Sequence, residues 1–167
     1  MTLIDLKLTA RLWFLIGFIG CGGLLVMAMY FQLVQGLNPC PLCISQRLAV
    51  ALTGVIFFAA FIHNPKQNGI KIYALAAMSS ALLGAGIATR HVWLQHLPAE
   101  QVPECGPGLA YMFEYFPLWD TLKLMLNGTG DCAKVDWTLL GLSMPVWTLM
   151  AFLILATLSV LQCWNKN

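Results

Sequence analysis

"CPLCISQRLAVALTGVIFFAAFI", Cys40–Ile62, opens with two cysteines two residues apart, passes an arginine, and continues as an apolar run. A helix that crosses a bilayer needs about 20 predominantly apolar residues. The part from Ile44 to Ile62 meets that requirement, so the cysteine pair sits at the mouth of a membrane helix. Three further runs qualify: Leu12 to Val34, Ile72 to Ala88 with a continuation to Leu94, and Leu139 to Leu161. The composition agrees. The chain has 167 residues, 59% hydrophobic and 10% charged, with mean hydropathy +0.76, whereas soluble domains carry roughly 25% charge. The fold class expected is all-α, an integral membrane four-helix bundle forming one domain over residues 1–167. Its helices are expected at about 12–34, 44–62, 72–94 and 139–161, with outer loops at about 35–43 and 95–137. The first run is too long for a secretory signal core and no small-residue cleavage site followed by a polar mature domain is evident, so it is read as retained.

Orientation follows from the basic residues near the helix ends. Lys7 and Arg11 precede the first helix, Lys66 and Lys71 flank the short link "HNPKQNG", and Lys166 follows the fourth. These segments share one side, the cytoplasmic one, with both termini. Glu100, Glu104, Glu114, Asp120, Asp131 and Asp136 lie in the long third connection on the other side, with Lys123 and Lys134 among them. The net charge of +2 and the lack of a basic cluster point away from nucleic acid as a partner.

The second outer loop is long for a structureless connection, and such loops are usually functional or partly ordered. Its start, "LPAEQVPECGPG", should be irregular. In "PLWDTLKLMLNG", Leu118, Trp119, Leu122, Met125 and Leu126 recur at helical spacing, with Asp120, Thr121 and Lys123 opposite. This segment is too short to span; it reads either as a helix lying in the membrane interface or as a cap on the helix ends. Small residues four apart, Ala76, Ser80, Gly84 and Ala88, form a packing stripe on the third helix. Gly17, Gly20 and Gly23 are expected to serve the first helix in the same way.

Of six cysteines, Cys21 and Cys163 lie within or at the end of apolar helices, where a lone cysteine behaves as a small apolar side chain. Cys40, Cys43, Cys105 and Cys132 all fall in the two outer loops. Outside a bacterial inner membrane, or in an equivalent lumen, thiols oxidise and disulfides persist. One disulfide per loop is the natural pairing, Cys40 with Cys43 and Cys105 with Cys132. Pro41 suits a first helical turn. Cys40 and Cys43 then share one face at a helix N-terminus, whose partial positive charge favours thiolate. Arg47 lies one turn deeper. An arginine inside a membrane segment is costly and reads as functional by default, against the alternative of snorkelling to the headgroups. His91 closes the third helix as a cap or a proton carrier. His63 and His96 read as loop residues. Only one half of a four-cysteine zinc pattern is present, so no metal ligand is assigned. A ring spanning two intervening residues staples almost nothing, whereas small C-x-x-C rings are characteristic of redox exchange.

These features resemble the DsbB family of bacterial inner-membrane thiol oxidases. The likeness covers nearly the whole chain: "CPLCISQR" at the second helix, "RHVWLQHLP" after the third, the cysteine of "PECGPG", and "GDCAKVDWTLLGLSMPVW" before the fourth. The resemblance implies a relay from a periplasmic thioredoxin-like dithiol oxidase of DsbA type to a membrane quinone, ubiquinone or menaquinone. It implies that Cys105 forms the mixed disulfide with the partner, that Cys132 exchanges with Cys40, and that Cys43 meets the quinone beside Arg47, with His91 at the same site. Two other readings stand beside it: a disulfide-stapled membrane scaffold, and an enzyme similar to vitamin K epoxide reductase, in which the C-x-x-C lies late in the chain.

Overall fold

Helix α1 runs from Leu3 to Leu33, α2 from Pro41 to His63, α3 from Gln67 to Gln95, α4 from Leu118 to Asn127 and α5 from Met144 to Trp164. They belong to a computed structural model that describes residues 3–104, 111 and 114–164. Cys105 and Lys166 lie outside the described residues. Helices α1, α2, α3 and α5 each contain a segment long and apolar enough to cross a membrane, and the molecule is an all-α membrane bundle. Its most extensive contacts are α3 against α5, followed by α1 against α2 and α2 against α3.

The helix boundaries have local causes. Helix α2 begins at Pro41, earlier than the apolar run suggests, because Cys40 caps it: the Cys43 amide donates to Cys40 Sγ at 3.3 Å. That bond serves one of the N–H groups a helix start leaves unpaired. At its other end Asn64 takes a left-handed conformation with φ 44, and α3 starts directly afterwards at Gln67, earlier than expected. Helix α5 starts at Met144, later than expected. Thr138–Leu139 pairs antiparallel with Leu142–Ser143, and the turn between them, Leu140 and Gly141, has φ of 53 and 76. Positive φ at both central residues gives the twist a two-residue hairpin requires. An apolar stretch thus spends its first residues in a hairpin.

Between helices in lipid, close packing replaces the hydrophobic drive of water. Phe14 and Cys21 of α1, Val50, Phe57 and Ala60 of α2, Ala77, Ala81, Ala85 and Ala88 of α3, and Phe152, Leu155 and Ala156 of α5 form the core. The small-residue stripe of α3 holds at three of its four expected positions: Ser80, Gly84 and Ala88 are buried, Ala77, Ala81 and Ala85 widen it by a neighbouring row, and Ala76 is exposed. The ring of Phe152 fills the space a side chain at Gly84 would need. In α1 only Gly17 serves this purpose, with Phe57 2.7 Å from where a Cβ would lie. Gly20 and Gly23 have nothing near them and are exposed. Thr53 Oγ1 and Ser80 Oγ, 2.9 Å apart, bridge α2 and α3 inside the bundle.

The ends of α1 and α3 and the starts of α2 and α5 meet at one end of the bundle, where the short 34–40 and the long 96–143 connections lie. Helix α4 packs on α2 there. It buries Thr121 and Met125, while Leu118, Trp119, Leu122 and Leu126 stay exposed. The capping expectation for this segment therefore holds on one face, and a separate apolar stripe faces outward. Thr121, placed with the polar side by spacing, belongs to the buried face. Arg90 of α3 holds the end of α4, donating from Nη2 to the Asn127 carbonyl at 3.3 Å.

Candidate active site

Four elements converge at this end. The loop after α4 turns at Gly128 with φ 78, so tightly seated that an added Cβ would lie 2.5 Å from Leu94 Cδ1 and 2.8 Å from Leu42 Cδ1. A side chain fits neither the conformation nor the space. The chain then enters a 3-10 turn at Gly130–Ala133. The Gly130 amide donates to the Glu104 carbonyl at 3.1 Å, joining the start of the connection to its end. This path buries Cys132 with Leu42 and Leu94 and against Cys40.

Cys40 is the hub. Its sulfur lies 2.8 Å from Cys43 Sγ and 3.8 Å from His91 Nε2, and the residue packs against Cys132. Cys40, Cys43 and Cys132 are all free. The Cys132 thiol is held down to about 6. The hydrogen bond with Cys40 is the main cause, burial opposes it, and the amides of Leu42 and Thr129 assist. Cys40 is pushed the other way, up, because it is the thiol that keeps a proton to share with Cys132 and Cys43. Two neighbouring sulfurs thus divide into a proton-bearing one and a thiolate, which is the reactive form in exchange.

His91 is 3% exposed. Its Nδ1 lies 3.0 Å from Gln46 Nε2. With the amide donating there, the ring proton is on Nε2, facing the Cys40 sulfur. Gln46 is 4% exposed and was not singled out by the sequence, although its place three residues after Cys43 puts it on the same helical face. Gly128 was missed too, because nothing in the sequence shows which wall it meets. The Arg47 guanidinium donates to Gln32 Oε1 and to the Ala28 carbonyl at 3.1 Å, both on α1. It is held there as a fixed positive charge.

A cavity of about 140 Å³ opens beside these groups. Leu24, Leu25, Ala28, Phe31, Val50, Met144 and Pro145 give it apolar walls, Cys40, Cys43, Gln46, Arg47 and His91 a polar end, and Asp131, Lys134, Asp136 and Trp137 also line it. Phe31 and Trp137 pack ring to ring at 4.8 Å.

Residues 10–162 match the family model described as "Disulfide bond formation protein DsbB". The chain belongs to the DsbB family. Relatives named "Disulfide bond formation protein B" include one from Methylococcus capsulatus, 62% identical over 95% of this chain and 97% of its own. Another, from Nitrosococcus oceani, is 52% identical over 94% and 93%. A third, from Azoarcus sp., is 44% identical over 99% of both chains. The likeness takes in all four spanning segments and the three described site cysteines together, so the juxtaposition of Cys40, Cys43 and Cys132 lies within the region matched to the family.

Proposed function

We propose that this DsbB-family member is a protein-dithiol:quinone oxidoreductase of a bacterial inner membrane, with both termini cytoplasmic and the cysteine loops periplasmic. It reoxidises a thioredoxin-like dithiol oxidase of DsbA type and so sustains disulfide formation. The observation that carries the reading is the line of sulfurs from Cys132 through Cys40 to Cys43, ending at an apolar cavity.

The cavity suits a quinone head. An engineered apolar cavity of about 150 Å³ accepts benzene, so about 140 Å³ is room for one six-membered ring. The polar end offers groups to hold carbonyl oxygens. Arg47, His91 and Cys43 are the residues that would hold the quinone, which when bound supplies an acceptor for two electrons and two protons.

The chain's own residues do the rest. A partner thiolate attacks the Cys105–Cys132 disulfide at Cys105, and Cys132 leaves as thiolate. The partner's second thiol then closes its own disulfide, releasing Cys105 as a thiol. Cys132 attacks Cys40 of the Cys40–Cys43 disulfide, and Cys43 leaves as thiolate. Attack by Cys105 on Cys132 restores the loop disulfide and frees Cys40. Each step breaks one S–S bond and forms one, and the two electrons finish on the Cys40–Cys43 pair. In the reduced protein the Cys40 thiol is the main cause of the low Cys132 pKa; while Cys40 is held in its disulfide, the Leu42 and Thr129 amides remain to favour Cys132 as a leaving thiolate and then as a nucleophile. His91 Nε2 is placed to hold or give a proton at Cys40, and Arg47 sets a positive charge where Cys43 meets the cavity.

The test is turnover of a quinone by the purified protein with a reduced DsbA-type partner. Quinone reduction with stoichiometric partner oxidation is expected. Partner oxidation without quinone consumption, or neither, would refute the proposal and leave a stapled scaffold as the better reading.

A further inference from the structure

We propose that the reduced Cys40–Cys43 pair, together with His91, forms a regulatory binding site for a thiophilic divalent cation of the zinc class. This inference rests on the thiol-oxidase reading, because the site exists only in the dithiol state through which that cycle passes.

Sequence spacing offered two ligands; the fold delivers the third. Helix α3 brings His91 to the pair so that one ligand atom from each of Cys40, Cys43 and His91 lies within 4.8 Å of the others. Tetrahedral zinc, with Zn–S about 2.3 Å and Zn–N about 2.0–2.1 Å, sets S···N near about 3.6 Å and S···S near about 3.8 Å. The Cys40 Sγ to His91 Nε2 distance is already 3.8 Å. The two sulfurs, 2.8 Å apart, need to open by about 1 Å to reach that value, within reach of a cysteine side-chain rotation. Two sulfurs and an imidazole suit zinc and its soft neighbours and do not suit magnesium or calcium. Three protein ligands leave a fourth position for water.

The support around the ligands is also present. A metal-bound histidine usually gives its other N–H to a carbonyl or carboxylate. Gln46 already sits at His91 Nδ1, and turning its amide over presents Oε1 to an Nδ1 proton and frees Nε2 for the metal. Asp131 and Asp136 line the cavity together with Lys134, which pairs with Asp131 at 3.3 Å, so Asp136 is the acid that adds to the thiolates' pull on a cation. Arg47 and the helix N-terminus oppose the cation, and the two thiolate charges offset them. Binding displaces two thiol protons into solvent and transfers no electrons. It ties up the sulfur lone pairs that oxidation needs, so the metal halts turnover until it is withdrawn.

The experiment uses full-length protein in detergent, with Cys105→Ser, Cys132→Ser and Cys163→Ser to leave buried Cys21 as the one thiol outside the site, reduced by a phosphine and titrated with Co²⁺ as a spectroscopic probe. One equivalent should give tetrahedral d–d bands and a thiolate-to-cobalt charge-transfer band, both lost on adding Zn²⁺. His91→Ala should weaken Zn²⁺ binding at least tenfold, Gln46→Leu should weaken it less, and protein with the Cys40–Cys43 disulfide closed should bind none. In the unsubstituted protein, Zn²⁺ should inhibit quinone reduction and a chelator should restore it. Absence of the tetrahedral bands, or unchanged affinity in His91→Ala, overturns the site. Failure of metal-free protein to reduce quinone would instead overturn the thiol-oxidase reading, whereas normal quinone reduction without cobalt bands overturns the metal site alone.

Discussion

Cys21 and Cys132 are hidden to the same degree, 1% and 0% exposed, in regions of opposite character. Cys21 lies mid-bundle in an apolar core with Phe14 and Phe57, its Cβ pressed toward Gly54. Cys132 lies over the helix ends, with Cys40 and two backbone amides directed at its sulfur. Burial alone therefore says nothing about reactivity. What separates the two sulfurs is whether the buried surroundings contain groups that stabilise a charge. Mid-bundle packing is a matter of shape, while packing at the rim is a matter of polar geometry.

The most direct way to break this contrast is to remove each sulfur. Cys40→Ser or Cys132→Ser should cut partner-driven quinone reduction to below about one-thousandth, as expected when a covalent nucleophile is lost. Cys21→Ala should leave turnover intact and destabilise the bundle by about 1 kcal/mol through a small cavity. Near-normal turnover in Cys132→Ser would place the relay elsewhere.

Two glycines sharpen the same comparison. Gly128→Ala forces an alanine to φ 78, ψ 152, a region essentially reserved for glycine, costing about 1–3 kcal/mol, against Leu42 and Leu94. Exchange between Cys132 and Cys40 should slow by about 30-fold or more by rapid quench, with little change in unfolding. Gly84→Ala should do the reverse, lowering stability by about 1–3 kcal/mol through overpacking against Phe152 while turnover per folded molecule holds.

The charge at the rim is readable by pH. With Cys132 depressed to about 6, its thiolate is populated above that pH and lost as pH falls through it. In the reduced protein, alkylation at Cys132, followed by mass spectrometry, should rise about tenfold from pH 5 to pH 7 and then level off. A rise that continues past pH 8 would mean that Cys40 and the amides do not stabilise it.

The smallest effects belong to the charge beside Cys43. Arg47→Met should raise the apparent KM for quinone about fivefold, the equivalent of one net hydrogen bond of about 1 kcal/mol. Arg47→Lys should keep the charge and lose the fork to Gln32 and Ala28, with an intermediate effect. Equal KM values in all three proteins would make Arg47 purely structural.

Much of the fold was legible because bilayer thickness imposes a length that apolar runs must meet. Cys40, Cys43 and Arg47 were legible because one helix turn brings them together whatever the rest of the chain does. Gln46 and Gly128 were not, since their meaning depends on what α3 and the loop bring opposite them, His91 in one case and Leu94 in the other. The start of α5 was missed because apolarity persists through Thr138–Ser143 while the backbone reverses at Leu140–Gly141. The α3 stripe was legible at Ser80, Gly84 and Ala88, but its second row, Ala77, Ala81 and Ala85, was not, because small residues occur on several sides of that helix and the packed neighbours decide how many of them are covered.

The wedge of Gly128 between Leu42 and Leu94 also has a kinetic meaning. It converts the meeting of two loops into a first-order event with a very high effective concentration of Cys132 at Cys40. Under the proposed relay, only the arrival of the soluble partner and of the quinone would scale with concentration. Diluting the protein in a membrane or micelle should therefore leave the rate of the internal hand-over unchanged.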